Sequence, residues 1–195
     1  FGRMGRGDVD LMRRLGAALG LEVRSMPPRR VADRIVSSTA IRKAIAAGDL
    51  DAASDMLGRP VSVLGTVVRG CQKGRALGFP TANLDVHHEV QLPEGVYAAF
   101  ACVEGRCLPS VANIGRRPSF STVGPAYLDE QPVVEVHVLD FEGDLYGRDV
   151  EVRFLSRLRD ELPFREEGAL RRQVAQDIAE AHAFFGRTGG RGRQG

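Results

Sequence analysis

A carboxylate set inside an apolar strand run is the first residue here that could do chemistry. In PVVEVHVLDF, residues 132–141, Glu135 stands among valines, where a charge is costly unless it faces an opening or meets a partner. Such a group can act as a general base, or it can be an outward-facing residue on the solvated side of a sheet. His137, on the same face two residues on, competes for the role, although a lone strand histidine more commonly serves structure. Upstream, GCQKGRALGFPTAN (residues 70–83) spaces Gly70, Gly74 and Gly78 by four and follows them with Pro80, Thr81 and Asn83. Glycines let backbone amides approach a polyphosphate, and Lys73 and Arg75 bring positive charge to the same loop. It is not a P-loop: the run does not end in Gly-Lys-Ser/Thr, and no GxGxxG is present. The plainer alternative is a glycine-rich turn between strands. At i and i+2 of an extended segment, Thr81 and Asn83 point to one side, where their oxygens could complete a Mg²⁺ shell alongside phosphates. They could instead brace the bend after Pro80.

A further phosphate site is conceivable at SSTAIR, where Ser37, Ser38 and Thr39 place hydroxyls at a helix start and Arg42 follows one turn in; an ordinary N-cap with a surface arginine explains the same pattern. The only histidines are His87, His88, His137 and His182, so residues 1–86 have none. No ligand spacing makes His87 and His88 a metal set with Cys102 or Cys107.

These groups must be positioned by a chain of 195 residues with 27 Lys+Arg against 25 Asp+Glu and a formal charge of +2. That length holds one domain with an appendage or two small ones. The near-neutral balance argues against a dedicated nucleic-acid binder, as does the scarcity of stacking aromatics: no Trp, 3 Tyr and 9 Phe. Three cysteines without a CxxC pair make a disulfide framework or structural zinc a poor reading, and a reducing cytosol is expected. No apolar run approaches the ~20 residues of a membrane span, so no membrane partner is expected. The opening FGRMGRGD starts at Phe1 and reads like the middle of a fold, so an N-terminally truncated chain is expected.

Asp10 is the expected cap of a helix carrying Leu11, Leu15, Ala18 and Leu19, with Gly20 as stop and LEVRSM as a short strand. Ser38 is the expected cap of TAIRKAIAA, ended by Gly48, and Asp49 caps a second helix closed by Gly58. After Pro60 the runs VSVLGTVVRG, GVYAAFACVE, RCLPSVANIG, PVVEVHVLDF and RDVEVRFLSR imply about five or six strands in a small antiparallel barrel or sandwich. Leu170, Val174, Ile178, Ala181 and Phe185 form one helical stripe able to cover it. The expected domains are thus an α/β piece over residues 1–57, a β domain with a C-terminal helix over 58–186, and a disordered basic tail over 187–195.

Taken in order, FGRMGRGD, IVSSTAIRKAIAAGDLDAASDMLGRP, GTVVRGCQKGRALGFPTANL, LPEGVYAA, VANIGRRPSF, VEVHVLDFEGDLYG and LSRLRDELPF resemble the prokaryotic bifunctional riboflavin kinase/FMN adenylyltransferase (FAD synthetase) family. The resemblance implies a six-stranded Greek-key barrel with a C-terminal helix, preceded by a partial Rossmann-like nucleotidylyltransferase fragment. It implies transfer of the γ-phosphate of ATP to the 5′-hydroxyl of riboflavin with Mg²⁺, giving FMN in the cytoplasm. By that likeness Thr81 and Asn83 hold the metal and phosphates, and the Gly70–Gly78 loop folds over them. Glu135 then deprotonates the hydroxyl, and Asn113, Arg159, Glu161 and Phe164 lie on the flavin side. Ser37, Ser38, Thr39 and Arg42 would close the adenylyltransferase domain, whose early histidine motif is missing here, so FMN with little or no FAD is expected, whereas a full-length parent would make both. Departures from the family pattern are Ser119 after Pro118, Pro163 in LRDELPF, and a long stretch over residues 121–132. The competing reading is a non-catalytic barrel that binds flavin or nucleic acid.

Overall fold

The computed structural model describes residues 7–70, 74, 77–87, 92–116, 132–164 and 166–188. Lys73, Arg75, Ser119, the 121–131 stretch and the tail from residue 189 lie outside them. Two compact units divide the chain, Phe1–Val36 and Ser37–Gly195.

In the first unit, helix α1 (Val9–Ala18) is capped by Asp8, whose extended backbone lets its carboxylate accept from the Leu11 N–H at 2.8 Å. Asp10, the expected cap, instead sits in the first turn and pairs with Arg13 at 3.0 Å. The expected LEVRSM strand does not form. Leu21 donates its N–H to the Gly16 carbonyl at 2.8 Å, so the return after Gly20 caps the helix end. Strands β1 (Arg30–Val31) and β2 (Arg34–Ile35) make a two-residue-per-strand hairpin.

The second unit opens with α2 (Ser38–Ala46), capped by Ser37, one residue before the expected Ser38. Gly48 takes φ +74°, Asp49 caps α3 (Leu50–Leu57) through the Ala52 N–H at 3.1 Å, and Gly58 closes it in the left-handed conformation. Ala53 and Met56 are buried as α3 packs on the barrel strands β3 and β8.

Six antiparallel strands then form a closed barrel: β3 (Val61–Val68), β4 (Ala82–Val86), β5 (Gly95–Val103), β6 (Arg106–Arg116), β7 (Pro132–Val138) and β8 (Asp149–Arg159). Around the barrel the order is β3-β4-β7-β6-β5-β8. Strands β5, β6 and β7 run consecutively and β8 returns beside β5, which is the Greek-key arrangement that the family resemblance implied. Alternation places Val134, Val136, Val152, Phe154, Ala99, Ala101, Ala112 and Ile114 inside at 0–2% exposure. So narrow a barrel leaves room for few large interior side chains, and alanines fill much of β5. Tyr97 meets Phe154 edge to face at 5.4 Å and donates its hydroxyl to the Pro93 carbonyl, and burial pushes its phenol pKa up.

Helix α4 (Glu167–Arg187) covers the outer face of the barrel. Ala181 and Phe185 join Val96, Ala98, Val111 and Leu139 in one apolar cluster with Ile178 packed against it, as the helical stripe implied. A largely buried phenylalanine such as Phe185, 9% exposed, contributes roughly 2 kcal/mol.

The expectation about cysteines is corrected. Cys102 and Cys107 form a disulfide across the β5–β6 hairpin, where they are directly opposed with Cα atoms 4.0 Å apart. An odd count and a missing CxxC say nothing about two residues that a tight turn brings face to face. Because the bridged loop is short, replacing both cysteines with serine is expected to cost roughly 2 kcal/mol. A lowered denaturant midpoint at unchanged m would show it.

Candidate active site

Strand register assembles the chemistry. Asn83 on β4 and Asn113 on β6 both lie directly opposite Glu135 on β7, so the three side chains share one face of three adjacent strands. That face is the outer one, since Val134 and Val136 point inward, and Asn83 is nonetheless only 7% exposed. Gly70 packs directly against it: a Cβ there would run into the Asn83 amide. At Gly74 a Cβ would meet the Phe79 carbonyl at 2.5 Å and Thr81 Oγ1 at 3.0 Å. The Phe79 N–H closes the turn onto the Gly74 carbonyl at 2.8 Å, while Gly78 supplies a φ of +89°. Two of the spaced glycines thus let the backbone pack directly against Asn83 and Thr81, and the third turns the chain.

Thr81 and Pro80 also line a cavity of about 470 Å³ at the end of the barrel where β3 and β7 finish and β4 begins. Its floor is apolar, from Val67, Ala82, Val136 and Val138, and its wall is the segment Phe141–Tyr146. Asp144 accepts from the Tyr146 N–H at 2.9 Å, and Gly147 donates to the Val67 carbonyl at 2.9 Å, docking this turn on β3. Arg69 lies over the Tyr146 ring, 5.6 Å from its centre. Sequence reasoning assigned no role to Arg69, Phe141 or Tyr146; the signal available was the turn chemistry of GDLYG beside the β3 end.

His137 Nδ1 lies 2.8 Å from the Pro80 carbonyl, and because a carbonyl only accepts, Nδ1 carries the proton and donates it. Its ring stands edge-on to Phe79 at 6.2 Å. His87 is engaged elsewhere, with Thr66 at 2.9 Å, and among the described residues no cluster of three or more His, Cys, Asp or Glu could hold a metal.

On the expected flavin side, Glu161 lies against Gly115, where a Cβ would collide with its carboxylate, and Phe164 is half-buried. Arg159 is turned toward α4. Its Nε and Nη2 each donate to Asp177 at 2.7 Å, Gln173 adds a bond at 3.0 Å, and Asp177 is 3% exposed. Asp177 was missed because an aspartate between Val174 and Ala181 on an apolar stripe reads as an interruption of it. Ser37, Ser38, Thr39 and Arg42 are exposed on α2 and none lines the cavity.

Against known proteins, residues 57–185 match the family model described as Flavokinase: Riboflavin kinase. The bifunctional riboflavin kinase/FMN adenylyltransferase of Escherichia coli K12 is 37% identical over 189 residues, covering 96% of this chain and 58% of that protein. The Bacillus subtilis protein of the same description is 37% identical over 154 residues, covering 78% of this chain and 48% of its own. A crystal structure described as a macrolide-efflux protein from Streptococcus pneumoniae superposes with a TM-score of 0.74 at 30% identity, over 93% of this chain and 57% of that one. The chain belongs to the riboflavin kinase family. It spans little more than half the length of the curated relatives it matches. Efflux is said of the streptococcal protein alone, and among the described residues no helix is long and apolar enough to cross a membrane.

Proposed function

We propose that this chain transfers the γ-phosphate of ATP to the 5′-hydroxyl of riboflavin, in the cytoplasm, where ATP is supplied. The observation that carries the reading is the row Asn83–Glu135–Asn113 on the outer face of the sheet, with Thr81, two residues before Asn83, lining the cavity at the barrel end. The nucleotide belongs in that cavity, its base against apolar wall and its phosphates toward Thr81 and the glycine-rich loop that also carries Lys73 and Arg75. Mg²⁺ is the ion this reading assigns to Thr81 and Asn83: Gly74 brings the backbone against Thr81 Oγ1 and Gly70 brings it against the Asn83 amide, so both neutral oxygens lie beside the loop. These neutral oxygens would hold the ion while phosphates supply the charge, and the ion would neutralise the polyphosphate.

Glu135 accepts the proton of the riboflavin hydroxyl as that oxygen bonds to the γ-phosphorus and the bond to the ADP oxygen breaks. Asn113 lies on β6, across β7 from the nucleotide loop, and Glu161 lies against Gly115 of the same strand; with Phe164 they would bound the flavin. Arg159 acts there indirectly, by fixing the strand end from which residues 160–164 depart. Positioning and charge neutralisation supply most of the acceleration in phosphoryl transfer, so this small set of groups suffices.

Residues 1–57 are assigned as the end of an adenylyltransferase domain, with Ser37, Ser38, Thr39 and Arg42 at its close. Because residues 1–86 hold no histidine, these 195 residues are expected to make FMN and little or no FAD. Incubation with riboflavin and Mg-ATP, with flavins resolved by chromatography, tests both parts. Robust FAD formation would overturn the expectation about adenylyl transfer, and no product from folded protein would overturn the kinase reading.

A further inference from the structure

We infer that His137 is a positioning residue for the nucleotide end of the site, acting through the Pro80 carbonyl; this rests on the kinase reading above. The strand carries Glu135 and His137 on one face, two residues apart, so a single element presents both the proposed base and the clamp on the loop opposite. His137 Nδ1–H holds the Pro80 carbonyl at 2.8 Å, and Pro80 is bonded directly to Thr81. The same imidazole stands edge-on to Phe79, whose N–H is bound to Gly74. Three consecutive residues are therefore fixed from two directions. Phe79 is held by the glycine loop and the imidazole ring, Pro80 by the imidazole proton, and Thr81 by the close approach of Gly74.

Among the described residues the imidazole is the hydrogen-bond partner shown for the Pro80 carbonyl, and proline has no N–H with which to anchor itself to a neighbouring strand. Without the imidazole proton the Phe79–Thr81 turn keeps its covalent path and loses its register to β7. Thr81 Oγ1 would then spread over several positions relative to Asn83, whose own place is set by pairing with Glu135. The cost should fall on nucleotide binding and leave the flavin side alone.

The test is a pair of substitutions. His137→Phe keeps an aromatic ring against Phe79 and has no donor; His137→Asn places an amide N–H near the position of Nδ1. Loss of one neutral hydrogen bond predicts that His137→Phe raises KM for Mg-ATP, and Kd for Mg-ADP by calorimetry, about tenfold. KM for riboflavin should stay within about twofold, and His137→Asn should recover most of the loss. Should His137→Phe fail to fold, His137→Leu replaces it. An unchanged Kd for Mg-ADP in the donor-less variant would overturn the inference. So would His137→Asn as impaired as His137→Phe, or a riboflavin KM that rises in step with that for Mg-ATP. Wild-type protein that makes no FMN would sink the kinase reading alone, and the Mg-ADP titrations would still decide the role of His137.

Discussion

Replacing Glu135 with glutamine is expected to lower kcat by about 10²-fold or more while riboflavin affinity changes little. The substitution keeps the shape of the side chain and one accepting oxygen, so the row with Asn83 and Asn113 survives. What it removes is the ability to take a proton from the attacking hydroxyl, a need that arises only as the new phosphorus–oxygen bond forms. An interaction made only in the transition state appears in kcat and in kcat/KM together, which separates this role from flavin binding. Flavin fluorescence titration alongside steady-state kinetics provides both numbers. A drop smaller than about tenfold would assign Glu135 to the sheet surface and leave water as proton acceptor. A loss of flavin affinity matching the loss of rate would make it a binding group.

Most of this site was legible because strand alternation and a loop motif are local patterns. The i, i+2 spacing of Glu135 and His137 fixed their common face, and the spacing of Thr81 and Asn83 did the same on β4. What no local pattern contains is the register between strands, which brings Asn83, Glu135 and Asn113 side by side although they are distant in sequence. Short β4 was readable only as an extended segment, because five residues after a proline-containing turn show little alternation. Helix caps slipped by one or two residues, from Asp10 to Asp8 and from Ser38 to Ser37, since adjacent residues of equal capping ability differ only in backbone conformation. The Cys102–Cys107 bond and the Arg159–Asp177 pair required knowing which side chains a turn or a packed helix would oppose. The resemblance that placed Arg159 with the flavin could not show that its guanidinium is already occupied.

That occupied guanidinium leads to the largest expected change in stability. Asp177→Ala should destabilise the Ser37–Gly195 unit by about 3 kcal/mol, because it strands a largely desolvated Arg159 and opens a small void under α4. Arg159 is 18% and Asp177 5% exposed at the side chain, and both donor–acceptor contacts are 2.7 Å, so solvent can replace little of what is lost. For a unit of this size the melting temperature should fall by roughly 10 °C. Arg159→Lys keeps the charge and loses the two-pronged geometry, so it too should destabilise, though less. If the pair is a unit, adding Asp177→Ala to Arg159→Lys should cost less than the sum of the two, a coupling that a cycle of the four proteins measures. Arg159 also donates to the Asp160 carbonyl at 2.8 Å, and Glu161 follows against Gly115. The same variants should therefore raise KM for riboflavin while KM for Mg-ATP holds, opposite to the pattern expected at His137. Additive stabilities, with riboflavin KM affected only by substitution of Arg159, would instead return that arginine to direct contact with the flavin.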